Sequence, residues 1–179
     1  MNGSELAEAT RAALAPRILT LRIIVVALAL GVLSFALVSI QLNASKPQLV
    51  GQQLSIPFLV LGLGAIPAGM LLPALIFRSA MQALAKRISP DESASEIDLA
   101  SAILGNLQTS TIIGCAFYEG GAFANLVQYM TAVELVHLGL AFMLLLLILT
   151  RFPWPGRVEE IIAGEIRRLK EEAGLRREP

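Results

Sequence analysis

From Ile23 to Ser45 the chain carries no charged residue, and this run limits the possible folds more than any other feature. About 20 apolar residues cross a ~30 Å hydrocarbon core as a helix, which satisfies its own backbone polar groups. The run exceeds the ~7–15 apolar residues of a secretory signal, and no A-x-A site follows it, so an uncleaved first span is expected. Further apolar stretches place spans at about 19–41, 54–77, 105–129 and 132–152. The expected fold is all-α: a four-span transmembrane helical bundle with cytoplasmic helical extensions. Residues 1–152 make the membrane domain, and 153–179 a cytoplasmic amphipathic helix and tail.

Composition agrees. Hydrophobic residues make up 55% and charged residues 16%, against ~45–50% and ~25% in soluble domains. The formal net charge is +0, which argues against a nucleic-acid partner. Cys115 is the only cysteine, so internal disulfides and cysteine-rich metal sites are excluded.

Local signals mark where elements start and stop. Met1–Pro16 is polar and Ala-rich, and Pro16 suits the first turn of a helix. Asn43–Gln53 is a polar loop with Lys46 and an Asn43-Ala44-Ser45 acceptor pattern. The second span holds Pro57, Pro67 and Pro73, and Pro67 removes one backbone hydrogen bond near its middle. Membrane helices tolerate such breaks where a neighbour re-satisfies the freed carbonyl. Met81, Leu84 and Ile88 then line one side of a helical extension. Ser89-Pro90-Asp91-Glu92 carries an N-cap serine, a first-turn proline and an N3 glutamate, a helix start. Thr131-Ala132-Val133-Glu134 repeats the capping-box pattern and opens the fourth span. Phe152-Pro153-Trp154-Pro155 ends it with interfacial aromatics and helix-stopping prolines. Beyond, Val158, Ile162, Ile166, Leu169 and Ala173 recur at spacings of four or three, an amphipathic helix. Its charges are mixed, which suits packing on helical extensions or a partner better than a lipid-headgroup anchor.

Orientation follows from Lys and Arg. Of the 14, only Lys46 lies in the loops expected outside; the rest flank the first span, fill the middle loop or lie from Arg151 on. The positive-inside bias then puts both termini of a multi-pass membrane protein in the cytoplasm.

Chemistry centres on Ser110–Met130, where Glu119 is the only acid. Ten residues below Tyr129, at 1.5 Å per residue, it lies about 15 Å deep, near the midplane. An acid held in hydrocarbon favours its neutral form and can give and take a proton. The competing role is an interhelical hydrogen bond. Gln108, Cys115 and Glu119 share one helical face, flanked by Tyr118 and Asn125, so these five residues form the candidate ion-binding set. Ser110, Gly114, Gly120, Gly121, Ala122 and Ala124 make a small-residue surface for close helix contact. Arg22 is the candidate counter-ion, with snorkelling to the surface as its other fate. Glu134 and His137, three apart, form a possible relay toward the outer surface. Capping accounts for Glu134 otherwise, and packing for His137. No metal site is expected from so few ligands, and no cofactor is implied.

The middle hairpin resembles the proteolipid (c) subunit of rotary ATP synthases. A helix bearing Gly62, Gly64 and Gly69 leads to Lys86-Arg87-Ile88-Ser89-Pro90-Asp91 and then to a helix with a midplane acid. Glu119, Ala122, Leu126 and Val127 are similar to that family's carboxylate segment. The resemblance implies that Glu119 carries an ion and that the chain forms ring-like homo-oligomers. The chain departs from the family in its added flanking spans, broken glycine repeat and longer proline-to-acid distance.

No triad, P-loop, zinc motif or dinucleotide fingerprint occurs, so no enzyme is expected and no catalytic residue is assigned. Two readings stand: an ion- or proton-handling membrane subunit working through Glu119, and a structural or assembly membrane protein. In the second, Glu119 bonds between helices and the cytoplasmic helices dock a partner.

Overall fold

The computed structural model describes residues 8–44, 55–87 and 95–175. Five helices account for nearly all of them: α1 (Glu8–Asn43), α2 (Ile56–Arg87), α3 (Glu96–Ala132), α4 (Leu135–Thr150) and α5 (Pro155–Leu175). The described residues are all-helical, without a strand. Three helices, α1, α2 and α3, are long and apolar enough to cross a membrane; α4 is a shorter apolar helix. The helix start expected at Ser89, the side chain of Ala173, Ile88 and most of the Asn43–Gln53 loop with Lys46 lie outside the description.

The chain forms two compact units. The first combines Met1–Arg22, Ala74–Ser110 and Pro153–Pro179; the second combines Ile23–Pro73 and Thr111–Phe152.

In the first unit, parts of α1, α2 and α3 gather with α5 around one apolar core. It holds Leu14 and Ile18 from α1, Met81 from α2, and Leu99, Ala100, Ile103 and Leu104 from α3. α5 contributes Val158, Ile162, Ile166 and Leu169, the stripe its periodicity marks out, while Phe77 and Leu84 pack alongside. The charged face of α5 stays exposed, with Arg168 paired to Glu165 and Glu172, and Arg167 to Glu171. The Glu172 carboxylate beside it, ahead of Glu165, holds the Arg168 guanidinium above its ordinary range. Across helices, Arg11 meets Glu159 at 2.9 Å. Gln108 donates to the Arg17 carbonyl and Arg22 to the Pro153 carbonyl. Arg22 is thus engaged at the start of the α5 segment.

The second unit is built the other way round. Leu30, Leu37, Val60, Leu61, Leu71 and Leu146 are exposed on its surface, while Ser39, Asn43, Asn125 and His137 are buried inside. Glycines set its packing. A Cβ on Gly69 would fall within the Tyr118 ring, and one on Gly121 would strike the Ala65 methyl. Gly114 lies against the Gly69 carbonyl and Pro73. So α2 and α3 approach closely along part of the small-residue surface, whereas Gly120 and Gly64 meet open space. α3 is the best covered of the three long helices, with 39% of its most apolar stretch buried against 28% for α1 and 22% for α2.

Candidate functional site

The polar groups of the second unit collect at two levels. The first lies where α3 gives way to α4. α3 ends in a left-handed residue: Val133 has φ 57°, and its N–H returns to the Tyr129 carbonyl at 2.9 Å. This single-bond helix stop ordinarily takes glycine. A β-branched side chain there costs about 1–2 kcal/mol. The same Tyr129 carbonyl accepts from Asn43 Nδ2 at 2.8 Å, pinning the end of α1 to the end of α3.

This turn alters the expected capping box. Thr131 remains within α3 and donates to the Gln128 carbonyl, and Glu134 occupies the N-cap of α4 without a side-chain cap hydrogen bond. Because Val133 turns the chain, α4 begins at Leu135, and the Glu134 carboxylate lies along α4 beside His137. Its Oε2 stands 3.2 Å from His137 Nε2. That is ion-pair distance, but the groups are not aligned as a hydrogen bond, and neither Glu134 oxygen has another partner. On its other side His137 Nδ1 meets Asn125 Oδ1 at 2.8 Å. Asn125 Nδ2 donates to the carbonyls of Phe58 on α2 and Gly121 on α3. One amide therefore joins α2, α3 and α4.

The second level surrounds Pro73. Proline has no N–H, so the carbonyl four residues earlier loses its helical donor. That carbonyl belongs to Gly69. Arg151, the residue that ends α4, donates to it from a guanidinium nitrogen at 2.9 Å. The guanidinium carbon also lies 6.0 Å from the centre of the Tyr118 ring, at the limit of a cation–π contact. Arg151 supplies the missing donor and brings a positive charge into the unit.

The expected ion-binding set is distributed rather than gathered. Glu119 is partly buried on α3, one of its oxygens facing Gly31 of α1, where an added Cβ would be 3.8 Å away. Among the described residues its carboxylate has no hydrogen-bond or ion-pair partner. Cys115 and Tyr118 are fully buried, Tyr118 against Gly69. Asn125 is committed to Phe58, Gly121 and His137. Gln108 belongs to the first unit and is bound to Arg17. Of the residues singled out from sequence, the relay residues Glu134 and His137 do meet. No group of three or more His, Cys, Asp or Glu that could hold a metal occurs among the described residues.

From the sequence alone, Arg151 reads only as an inside-flanking charge. A usable signal was present: Pro73 sets free a carbonyl at Gly69, and a buried carbonyl needs a donor from somewhere. The identity of that donor depends on a contact spanning 82 residues of chain. The Asn125–His137 contact was equally hidden.

Compared with protein-family models, with curated proteins and with solved structures, the chain finds no match in any of the three.

Proposed function

We propose that this chain is a multi-pass integral membrane subunit that exchanges protons or other small cations through Glu119 and works as a homo-oligomer or beside a membrane-complex partner. In this reading α4 is the fourth span, both termini are cytoplasmic, and the first unit is the cytoplasmic part. The supporting observation is the Glu119 carboxylate, partly buried on the best-covered long helix and without a hydrogen-bond or ion-pair partner among the described residues. An acid serving only as glue between helices of one subunit would have its acceptor or donor in that subunit. An acid that loads and unloads an ion has to keep its oxygens free, as Glu119 does among the described residues. The glycine contacts of α2 with α3 give that acid a closely packed support.

The test combines labelling and flux. A hydrophobic carbodiimide should modify Glu119 in the native protein, and Glu119→Gln should abolish both the labelling at that position and proton flux in reconstituted vesicles. Intact flux with dispersed oligomers in Glu119→Gln would favour the assembly reading. Wild-type vesicles without any flux would overturn ion handling.

A further inference from the structure

The hydrogen bonds around Asn125 determine where the proton on His137 sits. Asn125 Nδ2 faces two backbone carbonyls, from Phe58 at 3.1 Å and Gly121 at 2.9 Å. Carbonyls only accept, so the amide nitrogen belongs on that side and Oδ1 on the other. Oδ1 also only accepts, and it lies 2.8 Å from His137 Nδ1, so Nδ1 carries a hydrogen. In a neutral imidazole the lone pair is then on Nε2. That nitrogen is buried, on a side chain with 0% exposure, and faces Glu134 Oε2 at 3.2 Å.

Only one proton count relieves this arrangement. With Glu134 ionised and His137 neutral, two lone pairs oppose each other on buried atoms. With Glu134 neutral and His137 charged, a buried cation loses its counter-ion. One proton removes both conflicts, either on Oε2, 3.2 Å from Nε2, or on Nε2 as an imidazolium–carboxylate pair. We propose that Glu134 and His137 form a proton-binding site that holds one proton between them, separate from Glu119, with its tautomer set by Asn125. Moving the proton breaks Oε2–H as Nε2–H forms and leaves the pair neutral overall. The other titratable side chains among the described residues of this unit are Cys115, Tyr118, Glu119, Tyr129 and Arg151, and none pairs with His137 or Glu134. The site does not depend on the role given to Glu119. It adds a proton store at the α3–α4 turn, tied through Asn125 to α2.

His137 is the only histidine of the sequence, so 15N-imidazole NMR of the full chain in lipid nanodiscs reads it without ambiguity. Nδ1 should be protonated throughout about pH 5 to 8, the range in which an ordinary imidazole changes charge. Infrared spectra then complete the count. A protonated Nε2 should occur with no carboxylic-acid band from Glu134. A bare Nε2 should occur with such a band, lost in Glu134→Gln and shifted in Glu134→Asp, the second variant guarding against misfolding of the first. Asn125→Leu should lose the preference for Nδ1–H. A neutral Nε2–H tautomer in the wild-type protein would overturn the proposal. So would a bare Nε2 beside an ionised Glu134, or a protonated Nε2 beside a neutral one.

Discussion

The two units of this chain solve the burial problem in opposite directions. The first hides Leu14, Ile103, Ile162 and their neighbours and turns the charged face of α5 outward. The second exposes Leu30, Val60 and Leu146 and hides Asn125, His137 and Ser39. The same three long helices contribute to both units, so the inversion is written along single helices. Water rewards apolar burial at roughly 25 cal/mol per Å², whereas lipid offers no such reward and leaves close packing and polar pairing to hold helices together. The difference teaches that each unit should fail for a different reason.

Removing apolar volume should injure the first unit most. Ile162→Ala empties a fully buried position and should cost about 2–5 kcal/mol, read by fluorescence of Trp154, the sole tryptophan, during denaturant unfolding. A cost under half the lower figure would show that this core is not built as a water-driven one.

In the second unit the corresponding injury is a lost donor. Arg151→Met leaves the Gly69 carbonyl without a hydrogen bond and should cost about 1–3 kcal/mol in detergent unfolding. Pro73→Ala restores a backbone N–H to that carbonyl, so the double variant should lose less than Arg151→Met alone. Simple additivity would mean that Arg151 acts through its charge and not through the carbonyl.

Glycine substitutions sharpen the contrast inside that unit. Gly69→Ala drives a methyl into Tyr118 and should destabilise by about 1–3 kcal/mol. Gly64→Ala points into open space and should be neutral or gain up to about 1 kcal/mol from helix propensity. Equal effects at the two positions would remove the case for close α2–α3 approach. The smallest effect belongs to the surface of the first unit. Arg11→Ala breaks its pair with Glu159 and should change stability by no more than about 1 kcal/mol, less in high salt.

How much of this was legible in the sequence depended on how local each signal was. The α5 stripe could be read because Val158, Ile162, Ile166 and Leu169 report a single helical period, and all four reach the core. The long apolar helices were legible for the same reason, through runs of uncharged residues. The capping box at Thr131 was misleading because the left-handed conformation of Val133 overrides it, and nothing in a valine announces such a backbone. Glu119 could be singled out by type, but two of the neighbours assigned to it from helical spacing alone are occupied elsewhere. Asn125 is held by Phe58 and His137, and Gln108 by Arg17. Spacing says which residues share a face, not what that face meets.

The brevity of α4 has a consequence for where such a protein can reside. Its 16 residues give roughly 24 Å of helix, short of a ~30 Å hydrocarbon core. As a spanning segment it would pull the leaflets together around it. On the proposed four-span reading, lipids with short acyl chains should suit the protein best, and it should collect in thinner membrane regions.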